Sequence, residues 1–150
     1  VRPCLSPESD LPMSYQLTFA ERFVYDATES GITVPTILTS GARSVHADAK
    51  IDTGSQFCIF AREIGERLGL DIESGLPKEM GTLVGQMTTF GHEVTLETFG
   101  FLFSTVVFFA QQRKLPRNLL GRAGWLQMIR LAVIDYDREI YLSLYDDPSA

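Results

Sequence analysis

The stretch Ala49-Lys50-Ile51-Asp52-Thr53-Gly54-Ser55 decides how this chain is read. It closes a run in which Val45, Ala47, Ala49 and Ile51 alternate with His46, Asp48 and Lys50. Period two of this kind predicts a strand with one apolar face and one face toward solvent. An aspartate directly after such a strand, followed by Thr-Gly-Ser, is a carboxylate held on a tight turn among small groups. Gly54 lets a backbone or a substrate come close and can take a positive φ. Thr53 and Ser55 bring hydroxyls able to hydrogen-bond a carboxylate or a neighbouring main chain. Two readings compete: an Asx or ST turn that only ends the strand, and a carboxylate placed for acid–base chemistry.

Outward from that turn, short strand-like runs alternate with breakers. Residues 17–25 and 32–39 carry β-branched and aromatic side chains and are separated by Glu29-Ser30-Gly31. After the turn, 57–60 is a short apolar strand. Residues 61–68 then form a helix, with Ile64 and Leu68 one turn apart and Gly69 as its stop. Residues 71–77 are polar and loop-like. Residues 80–90 are rich in Gly, Thr and Met, with Gly81 and Gly85 bracketing Thr82-Leu83-Val84. Residues 93–99 and 102–109 pair as a hairpin turning near Gly100, and 111–117 is a polar loop. A second short helix is expected over 123–130, with Trp125, Leu126 and Ile129 on its apolar face. Residues 131–134 and 139–144 pair around Asp135-Tyr136-Asp137-Arg138. The expectation is a mainly β domain, 15–150, with two small helices and a closed or partly closed barrel. Residues 1–14, with three prolines and three serines, read as a flexible arm.

Composition narrows the function. The 150 residues suit one domain, and 45% apolar content with 10 Phe, 5 Tyr and 1 Trp argues against disorder. Thirteen basic and 19 acidic residues leave a net charge of −6, so no general attraction to nucleic-acid phosphates is expected. The apolar stretch 99–110 is interrupted by Ser104 and Thr105 and is too short for a membrane helix. Cys4 and Cys58, with His46 and His92, have no metal-ligand spacing, and no phosphate-binding or serine-nucleophile motif occurs. Cys58 lies between Phe57 and Ile59, as an inert strand thiol does. No metal or cofactor is implied. The compartment is left open, with a slight lean toward the cytoplasm.

Ile51-Asp52-Thr53-Gly54-Ser55 resembles the active-site motif of aspartic proteases, and Asn118-Leu119-Leu120-Gly121-Arg122 resembles the apolar-apolar-Gly-Arg segment of retropepsin-like members. Between them, 78–99 resembles the family's flap, a Gly-tipped hairpin that closes over substrate. The likeness spans roughly residues 17–145 in the order strand, Asp-Thr-Gly-Ser, helix, flap, Leu-Leu-Gly-Arg, helix, hairpin.

That resemblance implies a retropepsin-like barrel and peptide-bond hydrolysis by two aspartates sharing one proton. The chain holds one Asp-Thr-Gly, so the resemblance implies a homodimer in which each copy supplies Asp52. It further implies that Thr53 bonds the partner's loop, Gly54 permits close approach and Ser55 bonds the outer carboxylate oxygen. Gly81, Thr82, Leu83, Val84 and Gly85 would form the flap tip over a peptide or protein substrate. Pro116, Arg117 and Leu119 would wall the pocket beside the scissile bond, and Arg117 suggests tolerance of polar or acidic side chains there. Gln56 stands where retroviral members carry an acid that pairs with the motif's arginine. Arg122 therefore needs another acid, such as Asp48, or solvent. Two alternatives stay open: a retropepsin-like dimerisation or peptide-binding module with little proteolysis, and a β-barrel interaction domain with no active site.

Overall fold

The structure, a computed structural model, describes residues 13–148. The expected arm 1–14 lies almost wholly outside the described residues. In chain order the strands are β1 (Glu21–Val24), β2 (Thr33–Ser40), β3 (Arg43–Ile51) and β4 (Ile59–Phe60). The helix α1 (Arg62–Arg67) follows, then β5 (Leu76–Thr82), β6 (Gly85–Thr98), β7 (Phe101–Ala110) and β8 (Asn118–Leu120). The chain ends with β9 (Ile129–Ile134) and β10 (Glu139–Leu144).

Seven strands run in the order β2-β3-β8-β4-β7-β6-β5, and β2 also pairs with β6. That extra pairing closes six of them into a barrel, which removes their free edges. β5 stays outside as the second arm of a hairpin with β6. β1, β10 and β9 form a separate three-stranded antiparallel sheet. The fold is thus mainly β with a closed barrel, as the strand count of the sequence suggested.

Alternation sets the core. On β3, Val45, Ala49 and Ile51 are buried while His46 and Asp48 are exposed. Lys50, expected in solvent, is half-buried, because its stem lies over Gly31. On β7 the adjacent Phe108 and Phe109 point to opposite faces and enter different apolar clusters. Phe109 joins the main core with Phe60, Leu96 and Trp125. Phe108 joins Ile59 and Met80, flanked by Phe57, Met87, Leu115 and Leu119. This second cluster seats the β5–β6 hairpin on the barrel.

Several expected elements change. The strand over 17–25 is confined to β1 and pairs with β10; Leu17 stays exposed. The loop over 71–77 contains a 3-10 turn at Ile72–Ser74 whose Ile72 is buried against α1. A methyl on Gly65 would lie 2.5 Å from Ile72 Cδ1, so that packing depends on the glycine. The second helix does not form. Gly124 takes φ +101° and breaks the helical path, leaving only a 3-10 turn at Leu126–Met128 before β9. Trp125 is fully buried there, and its indole N–H donates to Thr98 Oγ1 at 3.0 Å. The two hairpins, by contrast, stand where expected: β6 turns into β7 through Phe99 and Gly100, both at positive φ, and β9 returns as β10.

Candidate active site

Asp52 follows the last residue of β3, where β3 lies parallel to β8 with Ile51 opposite Leu120. Its amide donates to the Leu120 carbonyl at 3.0 Å, and the Ile51 amide donates to Ile32 at 2.9 Å. The turn then closes on itself: Ser55 N–H donates to the Asp52 carbonyl at 3.1 Å, and Gly54 N–H to Asp52 Oδ1 at 3.0 Å. The Asx turn is therefore present. No other hydrogen bond reaches the Asp52 carboxylate among the described residues, so Oδ2 keeps its full accepting capacity. The Ser55 hydroxyl, which the resemblance assigned to that carboxylate, donates instead to the Phe57 carbonyl at 2.7 Å.

A second segment crosses this turn closely. Arg122 and Ala123 donate their amides to the Ser55 and Gln56 carbonyls at 2.9 and 2.8 Å. Gly121 makes the crossing feasible, since a Cβ there would sit 2.2 Å from the Phe57 oxygen and 2.8 Å from that of Ser55. Neither is a flexible side-chain end. Cys58 fills the space beneath. It is fully buried, the Gly121 amide points at its sulfur at 3.4 Å, and burial pushes its thiol up to about 11. The inert reading of Cys58 fits this setting. Arg122 itself is exposed, so solvent rather than Asp48 satisfies its guanidinium.

Asn118 was quoted in the motif without a role, and the structure supplies one. Its Nδ2 donates to the Asp48 carbonyl, and its Oδ1 accepts from the Ala61 amide, both at 2.9 Å. One side chain thus fastens β3 to the start of α1. The only sequence signal was a polar residue opening an otherwise apolar β8. Arg62, on α1, is a second anchor that sequence reading passed over. It donates to Glu66 at 2.9 Å and to both oxygens of Glu73 at 2.5 and 3.0 Å. Arg113 also bonds Glu66, and these arginines hold the Glu66 and Glu73 carboxyls below their usual range.

One cavity opens at the turn, and a second lies beside the end of β3 that leads into it. The first, of about 350 Å³, lies between Gly54, Ser55, Gln56 and the hairpin residues Lys78, Glu79, Met80 and Gly81. The other, of about 300 Å³, is lined by Lys50, Asp48, Arg117 and Asn118 with the Glu29-Ser30 loop. Gly54, Ser55 and Gly81 are therefore brought together, whereas Arg117 lines the opposite cavity. Leu119 packs in the cluster under the hairpin, opposite both Lys50 and Ile59. Thr82 to Gly85 stand away from both cavities: Leu83 and Val84 are fully exposed at the tip, 107% and 97% of their reference areas. Thr53 is also exposed.

No protein-family model matches the sequence, and no curated protein matches it. The fold nevertheless has solved counterparts. It is similar to a retropepsin-like aspartic protease from Rickettsia conorii, with a TM-score of 0.62 at 14% identity over 82% of this chain and 97% of that one. It is also similar to the EIAV protease in complex with the inhibitor HBY-793, with a TM-score of 0.51 at 22% identity over 66% and 88%. With Asp52 on the turn after β3 and the Gly121 segment crossed beneath it, this chain has the retropepsin-like fold of the aspartic proteases.

Proposed function

We propose that the protein is an aspartic endopeptidase active as a homodimer, with Asp52 of each copy forming the catalytic pair. The observation that carries this reading is Asp52 itself. It is half-buried on a turn locked from both sides, one carboxylate oxygen held by Gly54 and the other left unbonded, and the next residues of the turn, Gly54 and Ser55, line a cavity. Such a group is preorganised and open to a reactant.

Two carboxylates about 3 Å apart cannot both ionise, so the pair keeps one proton and titrates as a unit. The ionised member takes a proton from water as the water oxygen adds to the scissile carbonyl carbon. The protonated member gives its proton to the carbonyl oxygen. As the tetrahedral adduct collapses, one of its hydroxyls returns a proton to the second carboxylate, the C–N bond breaks, and the leaving nitrogen takes up the proton held by the first, so that the pair again holds one proton. Weak acid favours this cycle because one dyad proton must be retained.

The other residues take supporting roles. Exposed Thr53 bonds the partner's turn and fixes the spacing of the pair. Gly54 and Ser55 shape the floor of the cleft, and the β5–β6 hairpin acts as a flap whose Leu83 and Val84 cover the bound chain. Arg117 walls the cleft on the far side, and Leu119 supports it from beneath the hairpin.

The test is cleavage of an unfolded protein from pH 3.5 to 7 by the wild type and by Asp52→Ala, with protein concentration varied and mass followed by light scattering. Cleavage by the wild type alone, rising with the dimer fraction, is the expected result. A demonstrable dimer that cleaves nothing overturns the enzyme reading in favour of a peptide-binding module.

A further inference from the structure

Along β3 the side chains of Asp48 and Lys50 share one face, since they are two residues apart, and Asp52 follows directly on the turn after the strand. Lys50 is the nearer of the two to the catalytic position, about 7 Å along the strand, and Asp48 lies about as far again beyond it. Lys50 does not extend into solvent. Its stem lies across Gly31, where a methyl would be 2.3 Å from Cε and 3.0 Å from Nζ. Arg117, from the loop before β8, reaches the adjoining residue: its Nη1 donates to Ser30 Oγ at 3.4 Å. Two cationic heads thus converge on the Ser30-Gly31 turn at the wall of one cavity of about 300 Å³.

No carboxylate pairs with either cation among the described residues, although Glu29 and Asp48 line the same cavity. Around α1, by contrast, Arg62 and Arg113 pair with Glu66 and Glu73. Two like charges brought together without a counter-ion favour an anion between them. We propose that Lys50 and Arg117 form an anion-reading subsite beside Asp52, which selects peptides with a glutamate or aspartate next to the scissile bond. The inference rests on the endopeptidase reading only for where the scissile bond lies. It goes beyond the tolerance that Arg117 alone suggested, because Lys50 was placed in solvent by its strand pattern.

Four octapeptides with the same Ala/Val/Phe background and Glu, Gln, Leu or Lys at the fourth position test it. Binding to the Asp52→Asn protein is measured by calorimetry at pH 5.5 in low and high salt. Cleavage of the same peptides by the wild type is mapped by mass spectrometry. The Glu peptide is expected to bind about tenfold or more tighter than the Leu peptide. Salt should shrink that ratio. Lys50→Met and Arg117→Met should each reduce it, and Lys50→Glu with Arg117→Glu should turn the preference to the Lys peptide. Equal binding of the Glu and Leu peptides, or a Glu preference that survives charge reversal, overturns the subsite even where the wild type cleaves. Selective binding without wild-type cleavage supports the subsite and overturns the enzyme reading. Failure of all four peptides both to bind and to be cleaved overturns both.

Discussion

The Asp52 turn and the β5–β6 hairpin line one cavity from two sides, and they are held by different means. The turn is clamped by the Asp52 amide donating to Leu120, by amides of Ser55, Arg122 and Ala123 donating to its carbonyls, and by a glycine at the crossing that no other residue could replace without moving backbone. The hairpin tip is tied only locally, by the Thr82 hydroxyl donating to the Gly85 carbonyl at 2.9 Å and accepting from the Val84 amide at 3.3 Å. Its two outermost side chains are apolar and fully exposed. Precision is needed at the turn and mobility at the hairpin tip. A carboxylate that must hold its geometry sits where local opening is costly, whereas an element that admits and covers a substrate belongs at the low-stability end of the molecule.

The largest effect is expected at the turn. Asp52→Asn should bring cleavage below detection while leaving the Gly54 hydrogen bond in place, since the amide oxygen can still accept it. The same change removes repulsion between the paired carboxylates, so the dimer should dissociate at lower concentration than the wild type near neutral pH. Sedimentation across a dilution series reads this. A weaker or unchanged dimer would mean that the two Asp52 side chains do not face one another.

Next in size is a pair of glycine substitutions. Gly121→Ala drives a methyl into the Phe57 and Ser55 carbonyls and should cost about 3 kcal/mol, read from the urea midpoint. Gly81→Ala meets nothing within 4 Å and should change stability by less than about 0.5 kcal/mol. Its effect should fall instead on KM and kcat together, as expected for a hinge of the covering element. Equal stability losses at the two sites would show the hairpin to be as rigid as the turn.

A chemical probe sharpens the rigid side. With its thiol pushed up to about 11 by burial, Cys58 should resist alkylation by iodoacetamide at pH 8 in the native protein and react at once in urea. The smallest effect is electrostatic. Arginines hold Glu66 and Glu73 below their ordinary value of 4.5, so their contribution to stability is complete above that pH and is lost as pH falls below it. The urea midpoint should therefore drop between pH 5 and 3, and Arg62→Met should flatten the drop. A slope unaltered by that substitution would remove the α1 network from the account.

Legibility followed the range of the interaction. The alternation of Val45, Ala49 and Ile51, the hairpin at Phe99-Gly100 and the turn at Asp135 to Arg138 are local patterns, and each stands where the sequence put it. The helix over 123–130, expected from the apolar face of Trp125, Leu126 and Ile129, does not form because of Gly124. Its positive φ and its approach to Thr105 Oγ1, 2.8 Å from where a Cβ would be, belong to the packing against β7. Lys50 was misplaced for a similar reason: period two predicts which way a side chain leaves the strand, not what another loop lays beneath it.

A mainly β domain, a carboxylate on a tight turn after β3 and a glycine-flanked hairpin are written in the residue order alone, because backbone preference and apolar periodicity act over a few residues. Long-range packing alone fixes that Gly121 crosses Ser55 and Phe57 closely, that Asn118 ties β3 to α1, and that Lys50 and Arg117 both reach the Ser30-Gly31 turn. Those contacts join residues far apart in the chain, and no local preference encodes which distant backbone will fill the space beside a given side chain.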